Sequence, residues 1–519
     1  MLESLGLSGY QSFRYEQRAR LAPLTLVFGP NSSGKTAILR ALRMLDQSLT
    51  AGGEVTYNGD LVQLGSFGST VFRGEVEQEI SLSFSANFSN LPVSYFEGLR
   101  RRFMKGFSHT PISQSAEITL HLDSDSPVPK RVQITGRVGL LNPLGGGGGE
   151  SSSRRKASEV EFETLHSVHI ILDLKKRGGV NSVCAKFDIS DVEIFQSALE
   201  GIDDLPGLLK VHLPDFVFHS GRNFVPSRVM RLMTEGEDAR RAQQFCEGFL
   251  RFFGELLKPP MTNNVGPVRK EIPATPLLSD RSGSDTSALL SDASNLVDYL
   301  FALPGHVAQR GAQWLRRITD GRFGYQLARM SSDYVVEGES GWAFAQSPVG
   351  QFMFQDFHNK TLVSPSNSGS GLTQVLPVLV SLLTPPKPGR PSGAPSERGR
   401  VALIEQPELH LHPAMQAELV DVFVNSVKNS DDAGFRPQII AETHSESMLL
   451  RVQKLVREGQ LDPSEVSLLF VDQFPEVQDS SEESGATGSY VQEIRLAKDG
   501  TFRDRWPLSF SDVRWSEID

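Results

Sequence analysis

A glycine-rich octapeptide near the start of the chain, GPNSSGKT, has the residue types and spacing of a phosphate-binding loop. Its glycines let backbone N–H groups turn toward phosphate oxygens, and the helix predicted behind the loop would add positive potential. Lys35 would reach the β- and γ-phosphates of a nucleotide, and the Thr36 hydroxyl would bind Mg²⁺. The candidate phosphate-binding residues are Gly29, Asn31, Ser32, Ser33, Gly34, Lys35 and Thr36.

A second motif, VALIEQPELHLHP, covers residues 401–413. Its apolar residues predict a central parallel strand, and Glu405 at the carboxyl end would lie beside the phosphate loop, where ligands of open α/β sheets bind. Glu405 is therefore a candidate Mg²⁺ ligand. Many nucleotide hydrolases place a second carboxylate next in the chain to activate water. Here that position is Gln406, whose amide cannot accept a proton at neutral pH.

The residues after Gln406 have alternative interpretations. Glu408, His410 and His412 alternate in sequence, so an extended segment could point them the same way as metal ligands. A turn with histidines on its surface explains the same pattern, and the lack of a further nearby ligand favours it. Glu408 could also replace the missing general base if its side chain turned back toward the site.

Another apolar strand ends in a polar triplet within QIIAETHSESML, and His444 follows its end. A histidine at this place in a nucleotide site can hydrogen-bond a γ-phosphate oxygen. A structural histidine is the alternative that the motif alone leaves open.

A Gly/Ser turn runs straight into an apolar helix within NSGSGLTQVLPVLVSLL. The amides of such a helix start can bind an anion. A simple helix cap is the alternative.

The surrounding sequence predicts the elements that would position these motifs. LAPLTLVFGP predicts a buried strand and KTAILRALRMLDQ a helix, which makes residues 1–75 a βα unit. Residues 76–175 alternate as strands do, apart from a glycine- and serine-rich loop at 143–158. Residues 190–325 are mostly helical in pattern, and strands return after Ser331.

This organisation predicts four segments. Residues 1–175 would form an N-terminal lobe with the phosphate loop and a β subdomain, and residues 176–330 a helical insertion. Residues 331–472 would form a C-terminal lobe with the Gly/Ser helix start, Glu405 and His444. Residues 473–519 would form a short C-terminal β segment.

The bulk composition limits the class of protein. The 519 residues carry a net charge of −10, which argues against a protein that coats DNA by overall charge. Cys184 and Cys246 match no metal or disulfide spacing, as expected for buried thiols in a reducing compartment. The start of the chain lacks a secretory pattern, and no stretch approaches the roughly 20 apolar residues that span a bilayer. We therefore expect a soluble cytoplasmic protein without a membrane partner.

The order of the motifs resembles one known group of proteins. The chain is similar to ABC-type ATPases of the SMC, RecF and OLD group, and most closely to bacterial OLD-like AAA ATPases that lack a nuclease domain. The phosphate loop resembles their Walker A motif, GSGLTQVLPVLV their signature, LIEQPELHLHP their Walker B and D-loop, and ETHSESMLLRVQ their switch-histidine segment. NGDLVQLGSF, GPVRKEIP and the Trp-Pro ending LAKDGTFRDRWPLSF resemble further segments of the group.

The resemblance implies an α/β fold of the ABC and SMC-head type, with a mixed sheet, flanking helices, an antiparallel β subdomain and a helical insertion. It implies a homodimer in which two heads enclose two ATP molecules, each Walker A motif facing the other head's signature. The resemblance assigns Mg²⁺ binding to Thr36 and Glu405, γ-phosphate sensing to His444, and a Q-loop role to Gln63. Ser370, Gly371 and Thr373 would contact the ATP of the other head.

Two departures from the group change the expected activity. The signature is NSGSGLTQ rather than a Gly-Phe-Gly form, and Gln406 replaces the usual catalytic Glu. Because loss of a positioned general base typically slows a reaction about a hundredfold to ten-thousandfold, we expect slow ATP hydrolysis and a long-lived ATP-bound dimer. The catalytic candidates are Glu405, Gln406 and His444.

The resemblance leaves two functions open. One is an ATPase whose dimer opens and closes on DNA or RNA in repair or in defence against foreign nucleic acid. The other is a nucleotide-gated module that controls a separately encoded effector. No nuclease is expected in the segment after His444. Two basic clusters are candidate nucleic-acid contacts, or simply solvated surface charge: Arg100, Arg101, Arg102 and Lys105, and Lys175, Lys176 and Arg177.

Overall fold

A computed structural model describes most of the chain. The described residues are 1–50, 54–104, 107–126, 128–141, 156–160, 162, 165–177, 180–190, 210–213, 216–217, 228–229, 237–257, 261–272, 288–338, 341–383, 400–428, 436–474 and 487–507. The loop predicted at 143–158 falls largely outside these ranges.

The strands are β1 Leu2–Ser8, β2 Gln17–Arg20, β3 Leu24–Phe28, β4 Ile80–Asn87, β5 Thr110–Leu122, β6 Arg131–Leu141, β7 His166–Arg177, β8 Val180–Ile189, β9 Lys210–Leu213, β10 Phe216–Val217, β11 Arg228–Val229, β12 Met261–Val265, β13 Ala288–Leu289, β14 Phe323–Gly338, β15 Gly341–Asp356, β16 Thr361–Val363, β17 Arg400–Glu405, β18 Gln438–Glu442, β19 Val466–Gln473 and β20 Ser489–Ile494. The helices are α1 Lys35–Thr50, α2 Phe67–Thr70, α3 Val93–Phe103, α4 Glu237–Leu256, α5 Ala293–Ala302, α6 Gly305–Ile318, α7 Ser370–Ser381, α8 Pro413–Lys428 and α9 Glu446–Arg457.

The chain forms two compact units, each built from separate segments. The first unit contains Met1–Arg20, Arg40–Pro259 and Gln473–Val491. The second unit contains Leu21–Leu39, Pro260–Asp472 and Gln492–Asp519. The four segments predicted from the sequence remain a prediction about domain boundaries.

The first unit is built on an eight-stranded sheet of order β2-β1-β4-β5-β6-β7-β8-β9. Every neighbouring pair in it is antiparallel. The buried and less buried side chains alternate along most of β6, which is the pattern of a sheet with one covered face. Rings from α3 and α4 pack together in this unit, as shown by the 6.4 Å between the ring centroids of Phe96 and Phe252.

The second unit contains a seven-stranded sheet of order β13-β12-β17-β18-β3-β19-β20. The five pairings from β13 to β19 are parallel. Strands β3, β17 and β18 are buried along their whole length, as expected for central strands covered on both faces. The phosphate-loop sequence connects β3 to α1. The predicted α/β phosphate-loop fold with an antiparallel β subdomain is confirmed.

The strand order determines what can reach the phosphate loop. Strand β18 lies between β17, which ends in Glu405, and β3, which leads into the loop. In the register of these strands Glu405 is opposite Glu442, and Glu442 is opposite Val27. Because neighbouring strands lie about 4.8 Å apart, the backbone of Glu405 is one strand further from β3 than that of Glu442.

The 190–325 region contains the predicted helices α4, α5 and α6, together with short strands that the prediction did not include. Strand β12 is the most important of these, because it pairs with β17. Its sequence hides it: Thr262, Asn263 and Asn264 are polar but almost fully buried. The side chain of Asn263 is satisfied by hydrogen bonds, for example from its Nδ2 to the carbonyl of Ser381 at 2.8 Å.

The C-terminal Trp-Pro segment packs against the end of β3, the strand that leads into the phosphate loop. The ring centroid of Trp506 lies 5.7 Å from that of Phe28, 6.0 Å from Phe470 and 4.8 Å from Phe502. Since Phe28 is the residue before Gly29, this aromatic cluster supports the strand end from which the loop starts. Within the described ranges, none of the helices has the length and apolar character needed to cross a membrane.

Candidate nucleotide-binding site

The predicted phosphate loop has a backbone that needs its glycines. Gly29 has φ 144°, Gly34 has φ 105° and Ser32 has φ 62°, so all three lie at positive φ. A Cβ atom on Gly29 would lie 2.0 Å from the carbonyl oxygen of Val471, which excludes any side chain there. The loop therefore adopts a tight turn, and α1 begins directly behind it at Lys35, as a phosphate-binding loop requires.

Lys35 is buried, and its ammonium group lies over the loop. Its Nζ donates to the carbonyl of Pro30 at 2.6 Å and lies 4.0 Å from Oε1 of Glu442. Burial lowers the pKa of Lys35, while the negative charges of Glu442 and Glu408 oppose that shift. The cation is thus held at the mouth of the loop, where the phosphates of a nucleotide would replace the Pro30 carbonyl as its partner.

Glu442 is the carboxylate that contacts the phosphate loop, and the sequence interpretation gave it no role. The Thr36 hydroxyl donates to its Oε2 at 2.8 Å. Burial raises the pKa of Glu442, and the neighbouring Glu405 raises it further, while the hydrogen bond from Thr36 and the charge of Lys35 lower it. Burial dominates for Lys35 and Glu442 alike, so the two charges do not fully compensate their desolvation.

This arrangement fits a divalent cation held beside a triphosphate. A hydroxyl and two carboxylates, from Thr36, Glu405 and Glu442, provide the hard oxygen donors that Mg²⁺ prefers. Added positive charge would favour ionised carboxylates, and phosphate charge would favour the Lys35 ammonium. The sequence signal for Glu442 was present, since it ends an apolar strand as Glu405 does.

Gln406 lies in a turn that directly follows Glu405. Its φ is 46°, which is unusual for a residue other than glycine. Its backbone N–H donates to the carbonyl of Glu442 at 2.8 Å, and its carbonyl accepts from Leu409 at 3.2 Å. These two hydrogen bonds thus fix the backbone of Gln406, the residue at the usual catalytic position, in the turn between β17 and α8.

Glu408 turns back toward the site, as its proposed role as a base requires, but both of its oxygens are engaged. Oε1 accepts from the backbone N–H of His444 and Oε2 from the hydroxyl of Thr443, each at 2.8 Å. These bonds connect the turn after β17 to the end of β18. Glu408 therefore stabilises the positions of Thr443 and His444.

His444 is half-buried, and its backbone N–H donates to Glu408. Burial and the positive charge of Lys35 lower its pKa, which favours a neutral imidazole near pH 7. A neutral ring can donate from one nitrogen and accept at the other. The next residue, Ser445, caps α9 by accepting from Met448 N at 3.1 Å, and this fixes the start of the helix behind the histidine.

Of the alternating residues after Gln406, Glu408 turns inward and the two histidines lie in a surface turn. His410 and His412 are exposed, and His412 Nδ1 accepts from the backbone N–H of Ala414 at 3.3 Å. Among the described residues, no three His, Cys, Asp or Glu side chains are grouped to hold a metal ion. The exposed positions of His410 and His412 favour the surface-turn interpretation.

The predicted signature residues lie at the start of α7. Ser370 is exposed and Gly371 half-buried, whereas Thr373 is buried and its hydroxyl donates to the Ser370 carbonyl at 2.9 Å. A Cβ on Gly371 would lie 3.1 Å from the carbonyl oxygen of His410. The start of α7 is thus packed against the turn that follows Glu405.

Arg269, within the GPVRKEIP segment, is the second residue that the sequence interpretation did not assign. It is buried, and its guanidinium donates to backbone carbonyls of α7 and of the turn after β17. Burial lowers its pKa to about 10, against the opposing charges of Glu408 and Glu405, so it remains a cation at neutral pH.

Other predicted residues lie in the first unit. Gln63 is exposed, and its Nε2 donates to the Gly59 carbonyl at 2.7 Å. Arg100 donates to the carbonyl of Phe107, and Arg101 lies 3.6 Å from Glu97. Lys105 and the side chains of Lys175, Lys176 and Arg177 lie outside the described residues.

Comparison with known proteins identifies the kind of domain. Residues 221–450 match the family described as "AAA domain, putative AbiEii toxin, Type IV TA system". This range includes Arg269, α7, Glu405 and Glu442, and the phosphate loop precedes it. Over 87 residues the chain is 40% identical to ABC transporter G family member 42 of Oryza sativa subsp. japonica. That match covers 15% of this chain, and the chain spans only 6% of that protein.

Two solved structures are similar over nearly the whole chain. One is the crystal structure of the SmcHead bound to the C-winged helix domain of ScpA, with 12% identity, a TM-score of 0.34, and coverage of 96% of this chain and 98% of that one. The other is the SMC head domain from Thermotoga maritima, with 8% identity, a TM-score of 0.32, and coverage of 95% and 99%. The family match and the phosphate loop together indicate an ATP-binding domain in this chain that is similar to AAA- and ABC-type ATPases.

Proposed function

We propose that this chain binds ATP with Mg²⁺ at the second unit and hydrolyses it slowly. The observation that carries the proposal is the hydrogen bond from Thr36 to Glu442 beside the Lys35 ammonium. It brings the hydroxyl, the carboxylate and the cation of a nucleotide site to the carboxyl edge of one parallel sheet, where such ligands bind.

The residues have separate roles in this proposal. The amides from Gly29 to Thr36 bind the phosphates, and Lys35 contacts the outer two. Thr36, Glu405 and Glu442 would hold Mg²⁺, which when bound neutralises charge on the phosphate oxygens. His444, kept neutral by its surroundings, offers a hydrogen bond to the terminal phosphate.

Slow turnover follows from the groups near the attacking water. Gln406 can orient water but cannot take its proton at neutral pH. Both Glu408 oxygens already accept hydrogen bonds from Thr443 and His444. Positioning and electrostatic stabilisation of the transferring phosphoryl group remain, and these supply much of the catalysis in such reactions.

We further propose that ATP joins two copies of the chain, with the exposed start of α7 on one copy facing the ATP on the other. The dimer would act on DNA or RNA. The alternative is a nucleotide-gated module that controls a separately encoded effector, and Gln406 favours it because a poor hydrolase stays in one state for longer.

Three measurements on the purified full chain test the proposal: ATP affinity with and without Mg²⁺, steady-state phosphate release, and particle mass with ATP. Lys35→Ala is expected to abolish ATP binding. Lys454→Ala is the matched control, because Lys454 is exposed on α9 and pairs with Glu458 at 3.8 Å. Unchanged binding by Lys35→Ala would contradict the proposal. Binding without turnover, even with DNA or RNA added, would favour the gated module.

A further inference from the structure

Arg269 connects three segments of the second unit through four backbone carbonyls. Its Nε donates to Gly266 at 3.1 Å and its Nη1 to Gln374, on α7, at 3.0 Å. Its Nη2 donates to Glu405 and Gln406, each at 2.8 Å. One guanidinium therefore links α7 to the turn at the end of β17.

The side chain is suited to this link by shape as well as by charge. A guanidinium is a rigid planar fork with five donors, whereas a lysine ammonium is a single point of charge on a flexible stem. Arg269 is only 5% exposed, and its own carbonyl accepts from Nε2 of Gln374 at 3.2 Å. Its position therefore depends on α7 through bonds in both directions.

The two linked segments hold groups with different tasks. The start of α7 carries the exposed Ser370, and the β17 end carries Glu405 and Gln406. Gln406 has a backbone at positive φ, a conformation that is unfavourable for a residue other than glycine and so needs support from its surroundings. Arg269 supplies some of that support by binding the Gln406 carbonyl.

We propose that Arg269 is a positioning residue that transmits movement of α7 to the Glu405–Gln406 turn. Contact of a ligand with the start of α7 then changes the geometry at the metal-binding carboxylate and at the water-orienting amide. This inference rests on the proposed function, because it assigns a regulator to the same nucleotide site.

Arg269→Lys tests the link while keeping the positive charge. Arg400→Lys is the matched control: Arg400 is also 5% exposed, lies on the same strand as Glu405, and donates to Asn263 Oδ1 at 2.9 Å. We expect Arg269→Lys to lower the turnover number by about tenfold while ATP affinity stays within about twofold. Arg400→Lys should lower thermal stability and leave both quantities within about twofold.

Hydrogen exchange provides a readout that does not need turnover. In wild-type protein, ATP with Mg²⁺ should protect the amides of residues 370–378 and 403–411 together. In Arg269→Lys only residues 403–411 should gain protection. The double variant Arg269→Lys/Ser370→Ala should turn over no more slowly than the slower of the two single variants, because both changes interrupt one connection.

Several results would overturn the inference. They are multiplied losses in the double variant, joint protection of both segments in Arg269→Lys, or an effect no larger than that of Arg400→Lys. Parallel losses of ATP affinity and melting temperature would show that Arg269 only supports the fold. If wild-type protein bound no ATP, the proposed function would fail, and this inference with it.

Discussion

The Thr36 hydroxyl donates a 2.8 Å hydrogen bond to Glu442, and Glu405 lies opposite Glu442 in the next strand. The carboxylate that contacts the phosphate loop is therefore that of Glu442. Glu405 lies at the end of the neighbouring strand, one strand further from the loop. Two buried carboxylates in adjacent register positions create a place where a divalent cation relieves their repulsion.

Glu442→Gln should raise the Mg²⁺ concentration needed for half-maximal ATP binding by about tenfold, in line with the loss of one oxygen ligand or its hydrogen-bonding partner. The carboxamide oxygen can still accept from Thr36, so the loop should keep its geometry. Titration of ATP binding with Mg²⁺ measures this effect. Glu458→Gln, at the exposed residue that directly follows the end of α9, serves as the control. An unchanged Mg²⁺ requirement would show that Glu442 has no part in metal binding.

Gln406→Glu should increase the turnover number by about a hundredfold, the lower end of the usual contribution of a general base. The new carboxylate would lie at the same position of positive φ, where the backbone carbonyl accepts a hydrogen bond from Arg269. The measurement is phosphate release at saturating ATP and Mg²⁺. Gln416→Glu on α8 is not a suitable control, because the Gln416 side chain accepts a hydrogen bond from the Ser445 hydroxyl. Turnover equal to that of wild type would mean that water activation does not limit the rate.

The sequence was sufficient to predict the phosphate loop, because GPNSSGKT combines a strict spacing with a strand before it and a helix after it. It was also sufficient for β17 and β18, whose apolar runs are continuous. It could not show the strand order, since pairing between β18 and β3 joins residues far apart in the chain. The end of an apolar strand marked Glu442 in the sequence, but only the strand order shows that this carboxylate is the one beside the phosphate loop.

Arg269 was missed for a related reason. Its partners are backbone carbonyls, which every residue carries, so no residue type in the sequence marks them. Strand β12, which precedes it, was hidden by its buried polar residues. Only the folded sheet brings Arg269 to α7 and to the end of β17.

Glu408→Ala should lower the free energy of unfolding by about 1–3 kcal/mol, because the His444 amide and the Thr443 hydroxyl lose their acceptor. Glu408→Gln keeps one oxygen and should lose less. Urea unfolding measures both variants. The competing role as a general base predicts another pattern: Glu408→Gln would then slow turnover at least about a hundredfold with little change in stability.

Cys246 should react slowly with a thiol reagent at pH 8 in a Cys184→Ser background. It is buried on α4, and burial raises its pKa to about 12, so few molecules carry the thiolate. Unfolding in urea should accelerate the reaction about a thousandfold, because the thiol then regains an ordinary pKa. Rapid labelling of the folded protein would mean that α4 opens readily from the first unit.

Trp506→Ala should lower the free energy of unfolding of the second unit by about 2–3 kcal/mol, because a half-buried indole loses its contacts with Phe28, Phe470 and Phe502. Since Phe28 precedes Gly29, ATP affinity should fall as well. Trp506→Phe is the matched control, because it retains an aromatic ring at this place and should recover much of both quantities. Urea unfolding and ATP titration of the three proteins check the prediction. If Trp506→Ala lost stability but bound ATP as tightly as wild type, the aromatic cluster would support the sheet without holding the phosphate loop.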